Sequence, residues 1–349
     1  MKILHIAHGL IVNSGISVFV AEIAGAQAEI GHEVYVRYKR RPDYPVSTKV
    51  DSSPYKRPDE YDFVPDIVHI HALWLLDMVR AMNWCRRRGI PYVVSPHGGL
   101  MPRVFSKGRL KKRMFYSLFL KKNLQCANAI HCTGDGEVAA VKKLGIQART
   151  FISPLGCHLP EWPVKRMPST KRTILFLSRI GEEKGLTYLL DAWRSVPHEN
   201  WRLVIAGPDW KGHLDVLKSK IATEGIRDVE FPGLADGELK DRLYRRADLF
   251  VLSSPMENFS MVVLDALAYG VPVVCTKGTP WRAIEERRCG WWVDPNSSIA
   301  IATALQSAMN MPADEYNRLS CNARMLAESF DWKKIGSRLV ESYESVMGG

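Results

Sequence analysis

The stretch TILFLSRIGEEKGLTYLLDAWRS, Thr173 to Ser195, decides the fold. It opens on an apolar run of strand length, Thr173–Ser178. A glycine-bearing loop, Arg179 to Gly185, follows, and a helical pattern then fills Gly185–Ser195. Strand, glycine turn and helix in that order make a βα unit, and the unit recurs in both directions. Downstream, Arg202–Ala206, Leu249–Leu252, Pro272–Cys275 and Trp291–Val293 are strand candidates. Helical patterns lie over Leu214–Glu224, Gly237–Arg246 and Val262–Tyr269, and the chain closes on Ala313–Ser329 and Trp332–Val346. Upstream, Lys2–His8, Glu33–Tyr38, Ile67–His71, Tyr92–Ser95, Ala129–Thr133 and Thr150–Ser153 read as strands, with helical patterns over Ile16–Ile30, Leu76–Arg88 and Gly136–Leu144. The alternation predicts parallel sheets covered on both faces.

Between the two series lies CHLPEWPVKRMPST, Cys157–Thr170, with three prolines and no period, which reads as a linker. The expectation is an α/β protein of two Rossmann-like domains facing across a cleft. Residues 1–160 form the N-terminal domain and 161–330 the C-terminal one. Residues 331–349 form a helix packing back toward the first. Ligands in open α/β sheets sit at the carboxyl ends of the strands, so loops from both halves line that cleft.

Composition narrows the class. The 349 residues carry 48 Lys+Arg against 37 Asp+Glu, a net charge of +11, and 46% are hydrophobic. That is enough apolar material for packed cores and excludes a disordered chain. No apolar run approaches the roughly 18 residues that span a bilayer. The positive balance points to an anionic partner: nucleic acid, a membrane surface or a phosphorylated ligand. The seven cysteines, Cys85, Cys126, Cys132, Cys157, Cys275, Cys289 and Cys321, form no C-x-x-C pair. They read as small buried hydrophobes in a reducing compartment rather than as disulfides or a zinc site. Met1–Val12 has the apolar character of a signal peptide, but His5 and His8 interrupt it and no small-residue cleavage site follows. It is taken as the first strand of a cytoplasmic protein.

Four segments carry chemistry. After the first strand, Ser14, Gly15 and Ser17 open a helix. They suit either a phosphate approaching helix amides or an ordinary glycine turn with a serine cap. Arg179 and Lys184 flank the loop before the helix at Gly185, where the helix dipole disfavours cations. Either a diphosphate ligand or the neighbouring Glu182 and Glu183 accounts for them. Glu257 to Asp265 (ENFSMVVLD) places Glu257 in a loop, Asn258 as a helix cap and Asp265 on an apolar helix. Two acids so placed suit sugar and ribose hydroxyls; the alternative for Asp265 is an exposed helix acid. Ser95-Pro-His97-Gly98-Gly99 puts an imidazole at a strand's carboxyl end. His69 and His71 are read as mostly structural, one of them pointing into the packing layer.

These residues resemble the GT-B-fold glycosyltransferases of family 4, the retaining "group 1" type. The family's Arg…Lys-Gly loop is similar to Ser178–Gly185, and its Glu-x7-Glu motif to Glu257–Ala268. Its Gly-Gly turn and Gly-His-Glu-Val element are similar to Ser14-Gly15 and Gly31–Val34. Trp281 and Gly290–Asp294 resemble the bacterial surface-polysaccharide branch, and His97-Gly98 and Phe330–Trp332 are similar to further family elements. Two departures stand out: Asp265 replaces the second Glu, one methylene shorter, and Ser14 replaces the first glycine.

The resemblance implies retaining transfer of a sugar from a UDP- or GDP-sugar to a carbohydrate, lipid-linked acceptor in polysaccharide or lipopolysaccharide biosynthesis. Residues 1–160 would be the acceptor-side domain and 161–330 the nucleotide-sugar-binding one. Arg179 and Lys184 would hold the diphosphate, and Glu257 the donor sugar. Asn258, Phe259, Ser260 and Met261 would contact sugar and phosphate, with Ser14 and Gly15 also binding donor, Asp265 the ribose, and His97 the sugar near its anomeric carbon. No Asp-x-Asp occurs, so neither metal nor cofactor is expected. Arg103–Lys122 (RVFSKGRLKKRMFYSLFLKK) suits an anionic membrane face, or else a helix packed through its apolar residues with basic groups outside. The membrane reading places the protein peripherally at the inner face of the cell membrane. A nucleotide-sugar epimerase and a non-catalytic sugar-binding relative are the competing readings. Nucleic acid lacks any supporting motif.

Overall fold

A computed structural model describes residues 1–9, 15–40, 44–55, 61–106, 109–164 and 171–348. The chain forms two compact units, Met1–Gly156 with Phe330–Gly349, and Cys157–Ser329.

The first unit holds seven parallel strands: β1 (Lys2–Gly9), β2 (Glu33–Arg40), β3 (Asp51–Pro54), β4 (Ile67–His71), β5 (Tyr92–Ser95), β6 (Ala129–Cys132) and β7 (Thr150–Ile152). Their order is β3-β2-β1-β4-β5-β6-β7. The second holds β8 (Arg172–Leu177), β9 (Trp201–Ala206), β10 (Val229–Gly233), β11 (Leu249–Leu252), β12 (Val273–Thr276) and β13 (Gly290–Val293), ordered β10-β9-β8-β11-β12-β13. Every residue of β4, β5, β6, β11 and β12 is buried, as parallel strands sandwiched between helices must be. The apolar runs of the sequence are these central strands.

Two strands carry no such run. β3 reads Asp-Ser-Ser-Pro and β10 Val-Glu-Phe-Pro-Gly, both at sheet edges and without a single buried residue. A half-solvated edge needs no apolar stretch and tolerates proline, so the sequence pattern passes over both. The helix Ser298–Met309 is likewise additional to the expected elements.

The unit boundaries lie at Gly156/Cys157 and Ser329/Phe330, against 160/161 and 330/331 in the sequence reading. The closing helix Trp332–Met347 packs on the helix Gly15–Glu29. A Cβ built on Gly336 would lie 3.0 Å from the Ala26 Cβ, so the glycine lets the two backbones approach. Of the linker, residues 165–170 lie outside the described residues. All seven cysteines are free; five are buried, but Cys126 and Cys321 are exposed, unlike the uniformly buried set expected.

In each unit the strand order reverses once, between β1 and β4 and between β8 and β11. Chains leaving such neighbours diverge to opposite faces and open a crevice at the strands' carboxyl ends. Both candidate regions lie there.

Candidate active site

In the second unit, close backbone approaches build the site. The loop after β8 makes one short helical turn, Glu182–Lys184, and then Gly185 at φ +65°. A Cβ on Gly185 would fall 2.4 Å from the Ser253 carbonyl oxygen, so only glycine lets this loop meet the end of β11. Ser253 Oγ donates to the Lys184 carbonyl at 2.9 Å and locks the contact. Gly278, after β12, similarly admits the Pro255 carbonyl, and its own carbonyl accepts from Glu257 N–H at 2.9 Å. The result is an ion pair across the switch point: Lys184 Nζ lies 2.5 Å from Glu257 Oε1, the two side chains 11% and 15% exposed.

Each of the two loop cations thus has a carboxylate partner, a neighbouring acid for Arg179 but the distant Glu257 for Lys184. Arg179 Nη2 lies 3.5 Å from Glu183 Oε1, with its guanidinium 5.0 Å from the centre of the Trp210 ring. The helix Leu186–Ser195 begins after Gly185, so Lys184 belongs to the preceding turn rather than to the helix. The cap of the next helix also differs from expectation. Met261–Ala268 is capped by Ser260, in the left-handed region at φ 72°, and Asn258 stays in the loop ahead of it. Buried Phe259 sets this register, its carbonyl accepting from Trp281 Nε1 at 2.5 Å. Ser260 Oγ is buried with no hydrogen-bond partner among the described residues, at the start of the helix Met261–Ala268. Asp265 is no exposed helix acid: it is 19% exposed and paired to Lys240 Nζ at 2.6 Å. Trp210, Lys240, Ser253 and Gly278 were not singled out in the sequence, since each acts only through a partner far along the chain.

The first unit presents different chemistry. The helix Gly15–Glu29 starts at Gly15, and Ser17 Oγ donates back to the Gly9 carbonyl at 3.3 Å. Ser14 lies outside the described residues. His97 follows β5 at φ 49°, an uncommon conformation for a residue with a side chain. Its neighbour Gly98 donates its N–H to Glu137 Oε1. Behind His97 stands a chain of buried imidazoles. His71 Nδ1 lies 3.1 Å from His97 Nε2, His71 Nε2 lies 3.0 Å from His5 Nδ1, and His5 Nε2 lies 2.8 Å from Gln27 Oε1. Residues two apart on a strand share a face. So His69 and His71 both point inward, their rings 4.2 Å apart, rather than one alone as expected. Burial pushes His5 down to about 4, and with the neighbouring imidazoles it holds His69 and His71 well below the usual histidine range. Burial, with His131 adding to it, likewise pushes His97 down to about 3. These histidines are neutral at physiological pH. His5, His69 and His71 hold nitrogens within 4.8 Å of one another, a spacing that could take a metal ion. Yet both nitrogens of each are already hydrogen-bonded.

The basic segment divides by face. Tyr116 and Leu120 are buried, but Leu110, Met114 and Leu118 are 83%, 60% and 67% exposed, one stripe at four-residue spacing. The packed alternative placed apolar residues inward, and for this stripe the structure does the reverse. The buried side adjoins a cavity of about 710 Å³ lined by Leu100, Phe105, Arg113, Tyr116, Lys143 and Leu144 among others. Among the described residues no helix is long and apolar enough to cross a membrane.

Two strand-end sites on doubly wound parallel sheets, one with a cation–carboxylate pair at the switch point, lie where α/β proteins of this architecture bind their ligands. Comparison with known proteins makes this specific. Residues 161–325 match the family described as Glycosyl transferases group 1, and residues 60–156 the Glycosyl transferase 4-like domain. The GDP-mannose:cellobiosyl-diphosphopolyprenol alpha-mannosyltransferase of Xanthomonas campestris is 25% identical over 289 residues, 81% of this chain and 75% of that one. Sucrose-phosphate synthase from Thermosynechococcus elongatus superposes with a TM-score of 0.78 at 18% identity, covering 100% of this chain and 99% of that one. Anabaena HepE in complex with UDP-glucose gives 0.74 at 17% identity, covering 99% and 100%. The chain belongs to the GT-B glycosyltransferases.

Proposed function

We propose that the protein is a retaining, metal-independent glycosyltransferase of family 4. It moves a sugar from a UDP- or GDP-sugar to a carbohydrate, lipid-linked acceptor in surface polysaccharide or lipopolysaccharide biosynthesis. The observation that carries this is the Lys184–Glu257 pair at the β8/β11 switch point. It places a cation for a phosphate beside a carboxylate for sugar hydroxyls. The mannosyltransferase relative is named for a nucleotide sugar and a diphosphopolyprenol acceptor, which supports both ends of the reaction.

On this reading Lys184 and Arg179 hold the diphosphate and offset the charge that develops as it leaves. Glu257 orients hydroxyls of the transferred sugar. Amides from Asn258 to Met261, and the unpartnered Ser260 hydroxyl, meet sugar and phosphate. Asp265 holds the ribose, Ser14 and Gly15 bind donor, and His97 contacts the donor sugar. The bond from the anomeric carbon to the phosphate oxygen breaks. The acceptor oxygen bonds to the same face, and its proton passes to the departing phosphate. No protein nucleophile is needed.

The exposed Leu110, Met114 and Leu118 stripe, with Lys111, Lys121 and Lys122 on the same helical run, supports peripheral attachment to an anionic membrane at its cytoplasmic face.

A thermal-shift screen of nucleotide sugars identifies the donor, because a ligand stabilises according to its concentration over Kd. With that donor, nucleotide release should require an acceptor, persist in EDTA and give a product of unchanged anomeric configuration by NMR. Acceptor-independent turnover would support the epimerase reading instead. Loss of activity in EDTA or an inverted anomer would overturn the mechanism.

A further inference from the structure

The imidazole chain behind His97 has a direction, and one backbone group sets it. A carbonyl oxygen can only accept. The Ser153 carbonyl lies 2.8 Å from His131 Nε2, so that nitrogen carries the proton and neutral His131 has a bare Nδ1. Ser95 Oγ, 2.7 Å away, must donate to it, which leaves the Ser95 oxygen to accept from His69 Nε2–H at 2.6 Å. His69 Nδ1 is then bare and accepts from the Tyr343 hydroxyl at 2.5 Å.

Gln27 carries the direction onward. Its amide nitrogen makes no hydrogen bond of ordinary geometry, but the Gln27 amide stands close enough to Tyr343 to oppose the upward push of burial on that hydroxyl. With the Tyr343 proton committed to His69, an amide oxygen on that side would face another acceptor. The nitrogen therefore faces Tyr343 and Oε1 faces His5. His5 Nε2–H donates to that oxygen at 2.8 Å, His71 Nε2–H to His5 Nδ1 at 3.0 Å, and His97 Nε2–H to His71 Nδ1 at 3.1 Å. His5, Gln27, His69, His71, His131 and Tyr343 are fully buried and Ser95 nearly so, leaving water no place to reverse the order. His97 Nδ1 has no hydrogen-bond partner among the described residues, and of the linked imidazoles His5, His69, His71, His97 and His131 it is His97 that is partly exposed.

We propose that the buried chain running from the Ser153 carbonyl through Gln27 to His71 fixes His97 as its Nε2–H tautomer. His97 then presents a bare Nδ1 that accepts a hydrogen bond from a sugar hydroxyl. Gln27, His5, His71 and Tyr343 are positioning residues. The consequence for the sugar rests on the reading of His97 as a donor contact, whereas the tautomer is a property of the ligand-free protein. The two can therefore fail separately.

The test is a two-bond proton–nitrogen correlation spectrum of imidazoles in the full-length ¹⁵N-labelled protein at neutral pH, with His97 assigned by its loss in His97→Gln. The expected result is a protonated Nε2 and a bare Nδ1 at His97. A protonated Nδ1, or a mixture of tautomers, overturns the proposal. Gln27→Met should convert the single tautomer into a mixture. Tyr343→Phe, which deletes one hydroxyl, should do the same and serves if the first variant does not fold. A single unchanged tautomer in either folded variant removes the chain's role. A spectrum altered by EDTA, with one equivalent of metal ion released per chain, assigns His5, His69 and His71 as metal ligands and likewise overturns it.

Discussion

The two units share one topology and place opposite electrostatics at the same point of it. At the β1/β4 switch, His5 within β1, His71 at the end of β4 and His97 after β5 are neutral imidazoles joined by hydrogen bonds. At the β8/β11 switch the loops after the two strands carry the Lys184–Glu257 ion pair. The fold sets where side chains converge; local residues set whether the place is charged. A charged pair suits a diphosphate, whose negative charge can share Lys184. A neutral chain with one open nitrogen suits a hydroxyl. The contrast amounts to a division of labour between ionic and neutral recognition.

The sharpest way to break this contrast is to neutralise the charged side. Lys184→Met and Glu257→Gln should each lower kcat/KM for transfer by about 10²–10³-fold, the usual cost of removing one preorganised charge from a transition state. Assays with saturating acceptor check this, and activity near wild type in both would remove the ion pair from the site. His5 offers the next largest effect, on stability. Its folded value is about 4 against 6.5 in the unfolded chain. The unfolded chain therefore binds more protons in that window, so stability rises with pH there. His5's contribution is complete above pH 6.5 and disappears as pH falls to about 4, on the order of 3 kcal/mol at 1.36 kcal/mol per pH unit. Urea unfolding of wild type and His5→Gln across this window should show the variant losing less with acid. Parallel curves would mean that His5 protonates without cost. The smallest effect concerns the surface. Leu110→Ser with Leu118→Ser should abolish sedimentation with anionic vesicles while moving stability by no more than about 0.5 kcal/mol per site. Unchanged sedimentation would leave the stripe without a membrane role.

Much of this was legible from the sequence wherever burial imposes a pattern. β4, β5, β11 and β12 are covered on both faces, so their residues are predominantly apolar, and the sequence pattern marks them within a residue or so. β3 and β10 lie at edges and escape that demand. Arg179, Lys184, Glu257 and Asp265 could be named because cations near a helix start and acids beside an apolar helix are locally anomalous. Of their partners only Glu183, four residues from Arg179, is legible in the same way. Lys240 for Asp265 depends on how two helices meet, and Glu257 for Lys184 on how loops from separate strands meet. The histidines were visible as polar residues in apolar strands, and the period-two rule already puts His69 and His71 on one face.

By itself, then, the sequence determined the two parallel α/β halves, the glycine loops after β8 and β5, and the residue types able to meet a phosphate and a sugar. Those follow from periodicity and backbone sterics, which act over a few neighbouring residues. The tertiary structure decided which charges cancel, which cap starts the helix at Met261, which apolar stripe stays in water, and which way the protons point behind His97. Each of these depends on groups tens to hundreds of residues apart. The Ser153 carbonyl, Gln27 and Tyr343 share a direction only because the strands and the returning C-terminal helix bury them together.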